Sequence, residues 1–286
     1  MANLKPVQQI IQAKALMMGH TAVKQPLPTN GLDIISPFLL LHHFGPTKVL
    51  PGQDPLDVAP HPHRGFEPIT FLYQGGITHK DSRGNIGDLV GGDVQWMTSG
   101  MGIVHSERAS RTFLEEGGVM EGIQLWVNLP SEKKMMQPRY QDIKSADIPS
   151  ISEGEGKVQI RVVAGEYKGQ RGPADTQTPI IALQIEMKAG GQTNIQLPKH
   201  FNAFAYLLSG EVIANQTETA RSEQMIQFDP LGTAIHLSAQ SDSRILLMAG
   251  QAIDEPLAQY GPFVMNTQTE ILEAMRDYQM GKMGML

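Results

Sequence analysis

The sequence contains no cysteine, which excludes disulfides, thiolate zinc sites, iron–sulfur clusters and thiol nucleophiles together. Any metal held by this chain must therefore sit on histidine and carboxylate. A basic surplus is also missing: 23 Lys and Arg stand against 29 Asp and Glu, for a net charge of -6. No overall field draws a phosphate backbone, so direct nucleic-acid binding is not expected, and a protein partner suits the balance better than bare DNA. Long apolar runs are absent as well. No window approaches the roughly 18 apolar residues of a membrane span. The N-terminal MANLKPVQQIIQAKALMMGH is broken by Lys5 and Lys14 and lacks the core of a signal peptide. The chain is expected in the cytoplasm, off the membrane.

Apolar residues make up 41% and charged residues 18%, which is ordinary for a globular protein. At 286 residues the chain exceeds the usual ~100–200 per domain, so two cores are expected. Short runs rich in Val, Ile, Phe, Tyr and Leu are punctuated by Gly, Pro, Asn and Asp, the pattern of an all-β sandwich or barrel. Strands are predicted at Ile69 to Tyr73, Ile123 to Asn128, Val158 to Val163, Ile180 to Glu186, Phe204 to Leu208 and Ile245 to Ala249. One long segment, NTQTEILEAMRDYQMG, reads as helix. Thr267 and Glu270 form a capping-box pair, Ile271, Leu272, Met275 and Tyr278 are assigned to one face, and Gly281 ends it.

The chain also repeats itself. FEPITFLYQG aligns with FNAFAYLLSG, matching Phe66, Ile69, Phe71, Leu72 and Gly75 to Phe201, Phe204, Tyr206, Leu207 and Gly210. IQLWV at 123–127 and ILLMA at 245–249 fit the same duplication. The polar stretch from Ser131 to Gly156 is the natural boundary, giving an N-terminal domain over 1–140 and a C-terminal domain over 141–286.

Chemistry concentrates in the first half. In HPHRGFE, His61 and His63 are two apart and leave an extended strand on one face. His105 and Glu107 repeat that spacing, and two neighbouring strands would bring the pairs together. Three nitrogens and one oxygen leave a five- or six-coordinate ion open to substrate. Glu67, four residues after His63, is either a rival to Glu107 as the carboxylate ligand or a hydrogen-bond partner to one of the imidazoles. Under the repeat alignment His61 and His63 become Gln196 and Pro198, so the second half lacks the chelate, and His200 and His236 are read as structural. The Gly-rich GGDVQWMTSGMG has no P-loop lysine and is read as turns between strands. His42 and His43, being adjacent, cannot both face a pocket and are read as a packed or surface pair. His79 and Asp81 are assigned to a turn with Gly84 and Asn85.

The segments PHPHRGFE at 60–67, THKDSRGN at 78–85, GGDVQWMTSGMGIVHSE at 91–107 and GIQLWVNLP at 122–130 together closely resemble the pirin family of cupins. FAYLLSGEV and EILEAMRDYQMG look like the pirin C-terminal domain, so the resemblance covers nearly the whole chain. It implies an all-β bicupin: two tandem jelly-roll barrels and a C-terminal helix, with metal in the first barrel only. It also places the ligands at His61, His63, His105 and Glu107, favouring Glu107 over Glu67. Pirins commonly carry acidic residues after the FLLL-like run, where this chain has His42 and His43. The implied cofactor is one divalent metal, Fe(II) first, with Ni, Mn, Cu, Co or Zn as alternatives. Two functions come with the family. One is a quercetin 2,3-dioxygenase-type oxidoreductase acting on a flavonol or similar enol or phenol with O₂, with Glu107 as catalytic base. The other is an iron-dependent, redox-sensitive regulator of a transcription factor or metabolic enzyme.

Overall fold

Runs of β-branched and aromatic residues, cut by glycine and proline, form strands almost throughout. The computed structural model describes residues 3–56 and 58–286; Met1, Ala2 and Asp57 lie outside the described residues. The order begins β1 (Val7–Gln12), β2 (Lys14–Met18), β3 (Thr21–Leu27) and β4 (Phe38–Val49). It continues with β5 (Val58–His63), β6 (Phe66–Gln74), β7 (Gly76–Asp81), β8 (Ile86–Val90), β9 (Val94–Thr98) and β10 (Ile103–Ala109). A short helix absent from the sequence reading, α1 (Arg111–Glu116), is capped by the Ser110 hydroxyl and leads into β11 (Gly118–Asn128) and β12 (Arg139–Ile143). Apart from β1, these strands make a seven-stranded sheet, β12-β9-β6-β11-β4-β3-β2, and a four-stranded sheet, β5-β10-β7-β8. Thr70 reaches Glu107 and Gln95 reaches His79 from one sheet to the other, so the two form a sandwich with a polar interior.

The second set comprises β13 (Ser150–Glu153), β14 (Val158–Ala164), the hairpin β15 (Glu166–Tyr167) and β16 (Gln170–Arg171), β17 (Ile180–Met187) and β18 (Gln192–Gln196). Then come β19 (Phe201–Ser209), β20 (Glu211–Ala214), β21 (Glu218–Arg221), β22 (Gln224–Phe228), β23 (Ala234–Ala239) and β24 (Ser243–Gln251). All six predicted strand segments fall inside observed strands. The sheets are ordered β1-β22-β19-β24-β17-β14-β13 and β18-β23-β20-β21, which reproduces the first pair position by position. β6 and β19, carrying the aligned repeat, occupy the same place, as do β11 and β24. Gly65 and His200, which precede them, both have left-handed backbones, with φ of 85° and 67°. The duplication is therefore structural as well as sequential. Its second copy has an aliphatic core built from Ile195, Leu197, Val212, Ile235 and Leu237 among others, with no histidine inside it.

The hairpin β25 (Ala258–Tyr260) and β26 (Phe263–Met265) and the helix α2 (Gln268–Gln279) close the chain. Both halves of the capping box between Thr267 and Glu270 are present. The assigned helix face needs correction: Ile271 and Ala274 are buried, whereas Leu272 is 65% exposed. Leu272 lies ~100° around the helix from Ile271, and Ala274 takes the inward place. No helix among the described residues is long and apolar enough to cross a membrane.

The two compact units are not consecutive halves. One consists of Ala15–Val23, Phe38–Ser145 and Ile253–Leu286; the other holds Lys24–Pro37, Ala146–Ala252 and the N-terminal segment up to Lys14. Each completes itself with a segment from the far end of the chain. In the second unit, buried Lys5 fixes the segment ahead of β1 by hydrogen bonds to the Phe201 and Pro230 carbonyls at 2.9 and 2.8 Å.

Candidate metal centre

β5 carries VAPHPH along the edge of its sheet, where Pro60 and Pro62 are tolerated. Their rings hold the strand extended, so His61 and His63 leave it on one face. β10 runs antiparallel beside it, with His105 opposite His61 and Ile103 opposite His63. Three imidazoles meet as a result. His61 Nε2 lies 3.0 Å from His63 Nε2 and 2.9 Å from His105 Nε2. The ligand atoms of all three lie within 4.8 Å of one another.

His61 Nδ1 donates to the Ala59 carbonyl at 2.9 Å, which leaves its Nε2 lone pair facing the other two rings. Burial, and then the neighbouring imidazoles, hold the pKa of His63 and His105 well below the usual range, so both are neutral. His105 Nδ1 is buried without a hydrogen-bond partner among the described residues. A proton can bridge one pair of these nitrogens but not all three, whereas a single cation satisfies them at once. The residues present therefore fit a metal ion. Phe66 and Trp126 pack edge-on against His63, with ring centroids at 5.1 and 5.5 Å, and keep that side dry.

The turn after His63 is held from several directions. Arg64 donates through Nε to the Met101 carbonyl at 2.7 Å and through Nη1 to Asp277 of α2 at 3.0 Å. Lys134, fully buried, donates to the Gly65 carbonyl, the Val264 carbonyl and Asn128 Oδ1 at 2.8, 3.0 and 2.7 Å.

Glu107 projects from β10 two residues past His105 but stands outside the three-nitrogen cluster. The Thr70 hydroxyl donates to its Oε1 at 3.5 Å and the Gln124 amide to its Oε2 at 3.4 Å. Burial raises its pKa, against the pull of His61 and of those two hydrogen bonds. Glu67 is elsewhere. The strand count that put it on the face of His63 runs through the turn at Gly65, where β5 ends and β6 begins. Glu67 is three residues from inward-facing Thr70, hence on the opposite face of β6. There the Thr98 hydroxyl donates to it at 2.6 Å, and burial lifts its carboxyl to about 7 despite that bond.

His42 and His43 do face opposite ways. His43 Nε2 lies 3.4 Å from Glu121 Oε1 in a fully buried pair. His42, read from sequence as packed or surface, instead lines a cavity, and burial pushes its imidazole down to about 4. Asp81 organises its turn as expected, accepting from the Arg83 and Asn85 amides at 2.8 and 2.9 Å. His79 is not in that turn: it is a buried β7 residue stacked on Tyr140 at 5.0 Å and bonded to Gln95, which also donates to Asp142. Thr70, Gln95 and Gln124 were missed in the sequence. Their signal was a polar residue with an apolar neighbour on each side within a strand, as in ITF, VQW and IQL.

Beside Glu107 this unit forms a cavity of about 520 Å³, within the size range of small-ligand sites. Val23, Phe44, Leu56, Val58 and Ile77 give it apolar walls, and Glu107, Thr70, Gln124 and His42 add polar groups.

Paired antiparallel sheets around a histidine triad, in a chain that repeats the architecture without the triad, define a two-domain cupin. The Pirin family model matches residues 20–127, and that of the Pirin C-terminal cupin domain matches residues 182–284. The chain belongs to the pirin family. Pirin-1 of Arabidopsis thaliana is 42% identical over 288 residues, covering 97% of this chain and 96% of that one. The crystal structure of quercetin 2,3-dioxygenase from Acinetobacter baumannii matches with a TM-score of 0.94 at 38% identity, covering 98% of this chain and 99% of that one. The bacterial pirin YhhW of Escherichia coli, solved in complex with nickel(II), shares the fold with a TM-score of 0.66 at 19% identity, covering 86% of this chain and 99% of that one.

Proposed function

We propose that this chain is a metal-dependent dioxygenase of the quercetin 2,3-dioxygenase type, acting on a flavonol or similar enol or phenol together with O₂. The observation that carries this reading is the convergence of three imidazoles, with Glu107, two residues past His105 on the same strand, lining a largely apolar cavity. In this reading His61, His63 and His105 donate nitrogen and Glu107 a carboxylate oxygen to one divalent ion, Fe(II) in the first instance. When bound, the metal supplies Lewis acidity that favours the anion of an enol or phenol and its reaction with O₂. Glu107, its affinity for protons raised by burial, takes the substrate's hydroxyl proton. Thr70 and Gln124 hold that carboxylate in place, and the apolar walls flatten the ring system and exclude water. Ring opening of a flavonol consumes one O₂ and releases carbon monoxide.

Metal analysis of protein purified without added ions, combined with oxygen uptake on quercetin, tests this reading. About one ion per chain is expected, with uptake that stops on chelation and returns on reloading. Turnover that survives complete metal removal would refute it. A regulator of a transcription factor or metabolic enzyme would instead show no uptake and a protein partner whose binding follows the oxidation state of iron. The apolar cavity beside Glu107 favours the enzyme, because it gives a small molecule a place next to a carboxylate.

A further inference from the structure

The inward face of β4, β11 and β6 reads as three rows running across the strands. Leu40, Trp126 and Pro68 form the first, His42, Gln124 and Thr70 the second, and Phe44, Gly122 and Leu72 the third. A polar row thus lies between two apolar ones. The Phe44 ring, which lines the cavity, occupies the space that a Cβ at Gly122 would need. Within the polar row, Thr70 and Gln124 each hold one oxygen of Glu107. His42 extends the row by one strand, a step of ~5 Å, and lines the same cavity. Asp54, another polar group in the lining, accepts from the backbone amides of Leu56 and Ala109 at 3.0 and 3.1 Å.

We propose that His42 is a specificity-determining residue, which hydrogen-bonds a second polar group on a flat aromatic substrate, a strand's width from the hydroxyl that meets Glu107. The ligand class is then a polyhydroxylated aromatic rather than a plain enol. A neutral imidazole offers a ligand a donor or an acceptor according to its tautomer, so the group it meets is a hydroxyl or a carbonyl. Burial keeps His42 in that form at neutral pH. The inference rests on the dioxygenase reading for its substrate class, but its test is binding.

Metal-loaded protein is titrated without oxygen against quercetin and against 3-hydroxyflavone, which has no hydroxyl beyond its enol. Wild type should prefer quercetin. His42→Phe should weaken quercetin roughly 3–10-fold and collapse that preference, and His42→Gln, which keeps a donor and an acceptor, should retain most of it. Thermal unfolding reports whether each variant folds, and His42→Leu, which likewise removes donor and acceptor, replaces His42→Phe if the latter does not fold. Parallel weakening of both flavonols in each folded variant, or an unchanged preference in the Phe or Leu variant, would overturn the proposal. Quercetin that binds with the expected preference but is not consumed in air sinks the dioxygenase reading and leaves His42's role standing. A wild type that binds neither flavonol overturns both.

Discussion

His63 is flanked by His61, His105, Phe66 and Trp126 and is buried on every side, so no other group can take its place. His63→Ala is expected to abolish both metal retention after dialysis and oxygen uptake while far-ultraviolet circular dichroism stays that of the wild type. Full metal content in the variant would count against the triad. Glu67 makes a different prediction. Its carboxyl is lifted from an ordinary 4.5 to about 7, so the folded protein holds a proton that the unfolded chain releases between those values. The stability this group contributes is therefore full below pH 4.5 and is lost as pH rises through 7, about 3 kcal/mol in all. Glu67→Gln is expected to flatten that slope and to stabilise the protein above pH 7. Urea unfolding at pH 5 and pH 8 checks it, and equal slopes in the two proteins would show the group to be silent. The triad was legible because His61 and His63, two apart on a regular extended strand, share a face, and the neighbouring strand sets His105 opposite His61. The place of Glu67 was not, since one left-handed glycine resets the alternation, and neither was the inward turn of His42, since alternation separates neighbours without saying which one faces in.

The turn between β5 and β6 is where local sequence and distant packing meet. Gly65 adopts φ of 85°, and a Cβ on it would run into the Val264 carbonyl oxygen. Gly65→Ala is expected to cost more than ~2 kcal/mol and to weaken metal binding through His63. Gly84→Ala is the control: its φ is 88°, with nothing within 4 Å of the new atom, so it should cost about 1 kcal/mol and leave metal affinity alone. Denaturant melts with a metal titration on both variants decide the matter; equal losses would mean that backbone strain, not the Val264 contact, matters at this turn. The caps of α2 were legible at this scale because they depend on four neighbouring residues. Its buried face was not, because Leu272 and Ala274 exchange roles according to a surface that lies elsewhere in the sequence.

Across the whole chain the duplication was legible, since aligned strands kept their aromatic and glycine positions. The exchange of terminal segments was not, because nothing within VQQIIQ or EILEAMRDYQ names the unit each will join. A consequence can be measured. Residues 1–145 alone lack the hairpin and helix of residues 253–286 that belong to the same unit as the triad. That fragment is expected to bind metal weakly or to precipitate, and fusing 253–286 to it through a flexible linker should restore a soluble, metal-retaining protein. Equal metal affinity with and without the added segment would show that it is dispensable.

Arg64, one residue past His63, is anchored by Asp277, and Gly65 by the contacts around Val264. Those anchors leave the ribosome more than a hundred residues after the triad they secure. The nascent chain thus carries all three histidines before the support for their turn has been synthesised. On the proposed metal-binding reading, firm capture would wait until Val264 and Asp277 have emerged, and the affinity of the finished site, not the order of encounter, would decide which ion the protein carries.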